Sequence, residues 1–468
     1  MKHTLTLALR NLQRNRRRSL ATLLSIIVGV CAILLFGGYT RDITLGMQTD
    51  FVRDSGHLQV QRRGYFSYGM GNPTVYGIRD YERVAAALRD DPVLQPMIRI
   101  ITPTLQLGGI AGNFDAGMSR TVYASGTVPV DQTRMMSWND YALPDQIKTS
   151  ALEGSADNAA VVGEGLARVL QLCGPLHVPD CAMPQAVLDE RKTREIGDAP
   201  ADVLALAANE AAGRPSLSKL ARIDVLATST HGIPNVGDFT VVKAQRQGVK
   251  ELDDIYLALH LRGAQRLIYG GDEPRVTALE VQLHHTADLA AAQRRIETLL
   301  AERFADQPMD VLDFATLNPF YGQTNSMFAV IFGFMFALIG AIVLFVISSA
   351  MSTVIVERTV EIGTLRAMGN RRADIQALFV CEGLLLGLTG TAIGVVIALV
   401  AAAVINRLGL TWTPPARVEA VPLTVRVWGE WRAIGFTFFA LAAVATVSAW
   451  WPARRAARLS IVEALRHV

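Results

Sequence analysis

The residues best placed to do chemistry lie between Glu357 and Asp374, and what they offer is charge pairing along a helix rather than bond-breaking. Glu357, Arg358, Glu361, Arg366, Arg371, Arg372 and Asp374 form a polar face, while Ile355, Ile362, Leu365 and Met368 recur at helical spacing. Gly369-Asn370 supplies a stop, and a new helix begins near Arg372. No catalytic group emerges elsewhere. The sequence has no G-x-x-x-x-G-K-S/T run, so no P-loop cradles ATP phosphates in it. Gly163-x-Gly165 lacks the nucleophile of an elbow motif. His284 and His285 are adjacent on a predicted strand, where neighbouring rings point to opposite faces and do not share one ion. The expectation is a chain with no catalytic residue, no metal and no cofactor of its own.

The elements that must position this charged helix are long apolar runs. Leu20 to Tyr39, Met327 to Val356, Gly383 to Ile405 and Ala433 to Trp451 contain no Asp, Glu, Lys or Arg. Each is long enough to cross a ~30 Å hydrocarbon core at 1.5 Å per helical residue. The charged helix, about Ser352 to Gly369, then continues directly from the second span. Hydrophobic residues make up 50% of the chain and charged ones 19%, with a net charge of +3, but these are averages over two kinds of segment. The basic residues cluster at membrane boundaries, which points to no nucleic-acid partner. Arg14, Arg16, Arg17 and Arg18 precede the first span, Arg371 and Arg372 lie between the second and third, and Arg454, Arg455 and Arg458 follow the fourth. The positive-inside rule therefore places both termini and the loop between spans two and three in the cytoplasm, and residues 41–325 outside. The ionisable-poor spans argue against a proton- or ion-coupled carrier.

The fold class expected is a membrane α-helical protein of four transmembrane helices with a large α+β periplasmic domain inserted between helices one and two. Residues 1–18 read as an amphipathic cytoplasmic helix, with Leu5, Leu9 and Leu12 opposite arginines that meet anionic membrane lipid. Residues 19–40 form the first span, a retained anchor whose apolar run exceeds a signal-peptide core. The inserted domain runs from 41 to 325. In it His57 to Gln61 and Ala278 to Leu283 alternate as strands, while Tyr81 to Arg89, Gly163 to Leu172 and Ala287 to Phe304 repeat as helices. An insertion at about 173–219 is broken by prolines, with a short Ala-rich helix at Ala199 to Ala212. Cys173 and Cys181 flank its start and are candidates for a disulfide in an oxidising compartment, or else two free thiols. Spans follow at 326–356, 377–405 and 433–451, separated by the 357–376 helix and turn and a 406–432 periplasmic loop; 452–468 is a cytoplasmic tail.

Span three carries Gly383, Gly387, Gly390 and Gly394 in two GxxxG pairs. Such faces let helices approach closely, either against span two or in a dimer. Glu382, at the mouth of that span, reads as an interfacial residue.

The string VIVERTVEIGTLRAMGNRRADI, Val354 to Ile375, resembles the signature of FtsX-like ABC transporter permeases, the lipoprotein-releasing and macrolide-efflux types. The matching positions are Glu357, Arg358, Glu361, Ile362, Leu365, Arg366, Ala367, Met368 and Gly369. ALRNLQRNRRRSL near the start, KELDDIYLALHLRGAQRLI (Lys250 to Ile268) and WPARRAARLSIVEALRHV at the end are similar to the same family. The resemblance implies a separate ABC ATPase that binds ATP and Mg, a second permease copy or a paralogue, and a periplasmic carrier or adaptor. It also implies that the charged helix docks on the ATPase, with Ile362 and Leu365 as buried anchors and Arg358, Glu361 and Arg366 as rim charges. Lipoprotein release from the inner membrane is the preferred activity on this reading. Efflux of periplasmic substrates and non-transporting signalling to a periplasmic partner are the alternatives.

Overall fold

The computed structural model describes residues 16–69, 73–114, 116–143, 149–179, 221–413 and 420–458, together with Ala8, Arg10 and Arg14. Ala199 to Ala212 and most of the amphipathic segment before span one therefore lie outside the described residues. The elements used below are α1 (Arg16–Ser55), β1 (Leu58–Arg62), α2 (Tyr81–Arg89), β2 (Ile98–Asn113), β3 (Met118–Thr127), α3 (Pro129–Met136), β4 (Ala159–Val162), α4 (Glu164–Val169), β5 (Arg222–Thr228), β6 (Pro234–Ala244), β7 (Tyr256–His260), α5 (Leu261–Tyr269), β8 (Ala278–Leu283), α6 (Leu289–Arg303), β9 (Met309–Asp313), α7 (Pro319–Glu357), α8 (Thr359–Ala367), α9 (Arg372–Leu408) and α10 (Trp431–Ala457). The chain divides into a membrane unit (Met1–Gly46, Phe320–Trp412, Val421–Val468) and an inserted unit (Met47–Pro319, Thr413–Ala420).

Within the inserted unit, β1, α2, β2, β8, α6 and β9 make a β-α-β-β-α-β arrangement with strand order β2-β8-β1-β9, all neighbours antiparallel. This is the ferredoxin-like pattern, with everything between β2 and β8 as an insertion. Alternation explains the packing. Leu279, Val281 and Leu283 of β8 share one core with Leu58 and Val60 of β1, with Val84 and Leu88 of α2, and with Ile296 and Leu299 of α6. Arg295 closes this layer by a 2.6 Å ion pair to the buried Asp91, and that hydrogen bond is the main cause holding the Asp91 carboxyl below its usual range.

The 16-residue β2 continues into a second sheet. There β3 and β5 both pair with it, and the circuit β2-β3-β7-β4-β6-β5 closes on itself, parallel at β3–β7 and β4–β6 and antiparallel elsewhere. A closed ring leaves no free edge among its six strands. The α+β expectation holds. Tyr81–Arg89 and Ala278–Leu283 coincide with the expected elements. The predicted helix over Gly163 to Leu172 is shorter, ending at Val169 because Gln171 takes a left-handed φ of 55°. β8 ends at Leu283, so His284 and His285 leave the strand, and His285 pairs with Asp140 at 2.8 Å.

The last turns of α1 belong to this unit and are gripped by it. Gln282 Nε2 donates to the carbonyls of Val52 at 3.1 Å and Met135 at 3.0 Å, and Arg53 Nε donates to the Trp138 carbonyl at 2.8 Å. His57 stands edge-on to Trp138 with ring centroids 4.9 Å apart. Burial pushes His57 down to about 4 despite the opposing field of Asp140, so its ring is neutral and Nδ1 accepts from the Leu283 N–H at 3.0 Å. Gln59, Gln61, Glu280 and Gln282 all lie on the sheet face opposite the α2–α6 core, and all are buried.

In the membrane unit, four helices are long and apolar enough to cross a membrane. α1 has 40 residues, α7 has 39, α9 has 37 and α10 has 27. At 1.5 Å per residue the first is about 60 Å long, twice a ~30 Å hydrocarbon core, so the helices overrun the spans read from hydropathy. The four glycines of α9 line one stripe but do not face span two. A Cβ on Gly383 would strike the Ala449 Cβ, and one on Gly387 would stand 2.8 Å from the Ala445 Cβ, both on α10. Gly390 and Gly394 instead face α1, where a Cβ would meet Ile26 at 2.9 Å and Val30 at 2.7 Å. Span two meets α1 through Gly29, whose Cβ would lie 2.9 Å from Ile339.

Two outcomes test this account. Burial pushes the Glu280 carboxyl up to about 8, helped by the charge of Asp54 and opposed by a hydrogen bond from Thr104. The folded state holds this proton more tightly than the unfolded chain, so stability falls as pH rises from the ordinary glutamate range to about 8 and then levels off. At ~1.4 kcal/mol per unit the loss is at most about 5 kcal/mol. Glu280→Gln should match the parent protein in thermal unfolding at about pH 5 and exceed it increasingly toward about pH 8; a constant difference across that range would refute the burial argument. In α9, Gly387→Val should cost about 1–3 kcal/mol by overpacking. Gly340→Ala, where no atom lies within 4 Å of the new Cβ, should leave the detergent-solubilised protein's melting temperature unchanged.

Candidate functional site between spans two and three

The charged helix does not run on from span two without interruption, as its periodicity suggested. α7 ends at Glu357, Arg358 takes a non-helical φ of −105° with ψ 16°, and α8 starts at Thr359. The Arg358 N–H still donates to the Val354 carbonyl at 3.0 Å and the Ile362 N–H to the Arg358 carbonyl at 2.9 Å, so the joint is a departure from helical geometry confined to one residue. Its cause is visible in where Arg358 goes. The guanidinium turns into the membrane unit and stands 3.8 Å from the Glu382 carboxylate of α9, with the two side chains only 7% and 4% exposed. A charge this far from water needs an opposite charge, because removing either ion from solvent costs several kcal/mol.

The other matching residues follow the same inward logic. Ile362 is buried in the core that holds Ile355, Ile375, Phe379, Ala453 and Ala456, and Leu365 packs half-buried against it. Arg366 Nη1 donates to the Ala457 carbonyl at 3.1 Å, at the C-terminal end of α10, where the helix dipole favours a cation. Glu361 is exposed and pairs with Arg14 at 2.6 Å; such a pair at the surface contributes about 0–1 kcal/mol. Gly369, at φ +98°, ends the segment in the left-handed conformation that glycine tolerates. The Arg371 N–H then donates to the Asp374 carboxylate at 3.0 Å, capping the start of α9.

These positions correct the roles assigned from the sequence. Ile362 and Leu365 anchor α8 to its own chain, and Arg358 and Arg366 are fasteners rather than rim charges. What α8 turns outward is Val360, Thr364 and Met368, four residues apart, with Val360 44% and Met368 70% exposed, flanked by the exposed Glu357 and Glu361. Glu382 was the residue the sequence reading undervalued. It is a lone acid inside an apolar run, and the arginine of the charged signature is its cation; pairing the two was the available signal. Among the described residues no group of three His, Cys, Asp or Glu could hold a metal ion. Cys173 is disulfide-bonded, Cys181 lies outside the described residues, and Cys31 and Cys381 are free.

The membrane unit has a cavity of 270 Å³ bounded by Ile33, Gly37, Phe328, Phe332, Val427 and Ile434, with Arg41, Arg426 and Glu430 also lining it. Arg41 and Glu430 pair at 3.2 Å. On α7, Val330, Phe334, Leu338 and Phe345 stay exposed, whereas Val343, Ile347, Met351 and Ile355 form its buried stripe.

The architecture defines a multi-pass membrane protein with an α+β domain between its first two helices and a short charged helix between its second and third. Two family models match it: the FtsX-like permease C-terminal model over residues 330–461 and the MacB-like periplasmic core domain over residues 19–179. Over those residues the chain carries an FtsX-like permease C-terminal domain and a MacB-like periplasmic core domain. It is 32% identical over 197 residues to the macrolide export ATP-binding/permease protein MacB of Sodalis glossinidius, covering 41% of this chain and 28% of that protein. It is 30% identical over 233 residues to an uncharacterized ABC transporter permease of Methanocaldococcus jannaschii, covering 49% and 55%. Over 245 residues it is 28% identical to the lipoprotein-releasing system transmembrane protein LolC of Neisseria meningitidis, covering 50% and 57%. The chain thus spans between 28% and 57% of the length of these relatives. Among solved structures, the periplasmic region of MacB from Actinobacillus actinomycetemcomitans overlaps 57% of this chain and 94% of its own, at 12% identity and a TM-score of 0.32.

Proposed function

We propose that this chain is the permease subunit of an ABC transporter, coupling ATP hydrolysis on a separate ATPase to movement of its periplasmic domain, and that its cargo is lipoprotein released from the inner membrane. The observation that carries the first half is α8: a short helix fastened on its inner face and presenting Val360 and Met368 outward between two spans. ATP and Mg belong to the ATPase, since the sequence holds no P-loop. On this reading both termini and α8 are cytoplasmic, as the arginine clusters require. The exposed stripe of α7 meets lipid or a second permease, a like copy or a paralogue, and a periplasmic carrier or adaptor receives the cargo.

The cargo half is supported by the cavity in the membrane unit. At 270 Å³ it falls below the roughly 300–1,000 Å³ of sites for drug-sized molecules, and its walls are mostly apolar. Those dimensions suit an acyl chain better than a bulky polar solute. Efflux of periplasmic substrates is the second reading, and similarity to macrolide export proteins favours it.

Val360→Asp combined with Met368→Asp should weaken co-purification of the ATPase by ~10-fold or more, the loss of a central apolar contact, while Glu361→Gln changes it little. Equal effects from both would place the contact elsewhere. For cargo, depletion of this chain should leave lipoproteins in the inner-membrane fraction. Normal lipoprotein release together with lost export of an amphiphilic drug would establish efflux instead.

A further inference from the structure

The contacts of α8 raise a mechanical question that the proposed function leaves open: which span receives the force of the ATPase. Chain connectivity suggests span two, because α8 follows it directly. The contacts point elsewhere. At its start α8 is separated from α7 by the non-helical Arg358, the one residue between two helical segments. That same residue is tied sideways to Glu382 of α9, and the pair is more than nine-tenths buried. One residue further along α9, Gly383 is in contact with Ala449 of α10, and Gly387 repeats the contact one turn later at Ala445. At its other end α8 is tied to α10 itself, through Arg366 and the Ala457 carbonyl. Between the two ties, Ile362 sits in the core that includes Ile375 and Phe379 of α9 and Ala453 and Ala456 of α10.

We propose that Arg358 and Arg366 are positioning residues that clamp α8 to spans three and four, so that α8, the first half of α9 and the end of α10 move as one block and span two hinges against it at Arg358. The proposal rests on the reading of α8 as the ATPase contact. Packed elements of this kind shift as units, because their interfaces have discrete arrangements rather than continuous give. A buried ion pair suits such a task. Its net contribution to stability is small, but it admits few alternative geometries, and breaking one partner alone is costly.

The test uses the full-length permease, with Cys31→Ser and Cys381→Ser as background, reconstituted with its ATPase in lipid vesicles. Arg366→Cys and Ala457→Cys are added and bridged with a short bis-maleimide before the ATPase is introduced. The unbridged variant should lose permease-stimulated ATP turnover by roughly 10-fold, within the 5- to 150-fold range of coupling between sites, and bridging should restore it. The loss should fall on kcat, with KM for ATP unchanged, since the ATP site is untouched. A parallel arm exchanges the buried charges: Arg358→Glu alone should uncouple, and Arg358→Glu with Glu382→Arg should recover most of the turnover. If the bridge itself stops turnover, α8 slides against α10 and the block is wrong. Full turnover in the unbridged variant and in Arg358→Glu would equally overturn it. If the background permease neither binds nor stimulates the ATPase, the functional reading fails first, and that result is distinct from a failure of the clamp.

Discussion

In a bilayer, helices gain nothing by hiding apolar surface from water, so the membrane unit depends on how closely α9 lets its neighbours approach. Its four glycines recur at four and three residues and therefore lie on one stripe. The first two receive alanines of α10 and the second two receive Ile26 and Val30 of α1. A side chain at any of them would push a neighbouring helix outward and forfeit dispersion contacts that nothing else replaces. This stripe sets the neighbours: α10 and α1 on α9, and α7 on α1 through Gly29 and Gly37. Span two is thus the span least enclosed by the others; 11% of its most apolar stretch is buried, against 28% for span three.

The same arrangement explains why α8 lies where it does. Once α9 and α10 are locked by small residues, Glu382 is held in an apolar setting one residue before the first glycine, and its charge must be matched. Arg358 is the cation that meets it, and reaching inward takes the backbone out of helical geometry at that one position. The one-residue departure and the buried pair coincide at Arg358. Ile362 and Arg366 then fall on the inward face by helical spacing, four residues apart.

How much of this was legible depended on which interaction decided each element. Segments with a clear apolar period, Tyr81–Arg89 and Ala278–Leu283, were readable to the residue because the period settles both type and limits, although the polar face of Ala278–Leu283 is buried as well. The topology of the inserted unit was not. Closure of the six-stranded ring depends on β2 pairing with both β3 and β5, and nothing local to β2 declares two partners. The charged signature was recognised, yet its polar residues were assigned to the surface by the rule that charges face water. Arg358 breaks that rule because Glu382, on another helix, rewrites its environment; the periodicity of α8 itself contains no trace of that acid. GxxxG spacing likewise announced close approach but not the partner, since glycine carries no information about which helix fills the space it leaves.

The two ends of the inserted unit are built differently. α1 is continuous from Arg16 to Ser55, and its final turns are held by Gln282 and Arg53, both with backbone carbonyls as acceptors or neighbours in the domain core. At the opposite end β9 leads into a single helical turn, Phe314–Leu317, capped by Asp313 accepting from the Thr316 N–H at 2.8 Å, and then into the non-helical Asn318 before α7 begins at Pro319. Proline fixes φ and donates no hydrogen bond, so α7 starts without a backbone tie at its first residue. The second connection is therefore segmented at both of its ends, at Asn318 and again at Arg358, whereas the first is not.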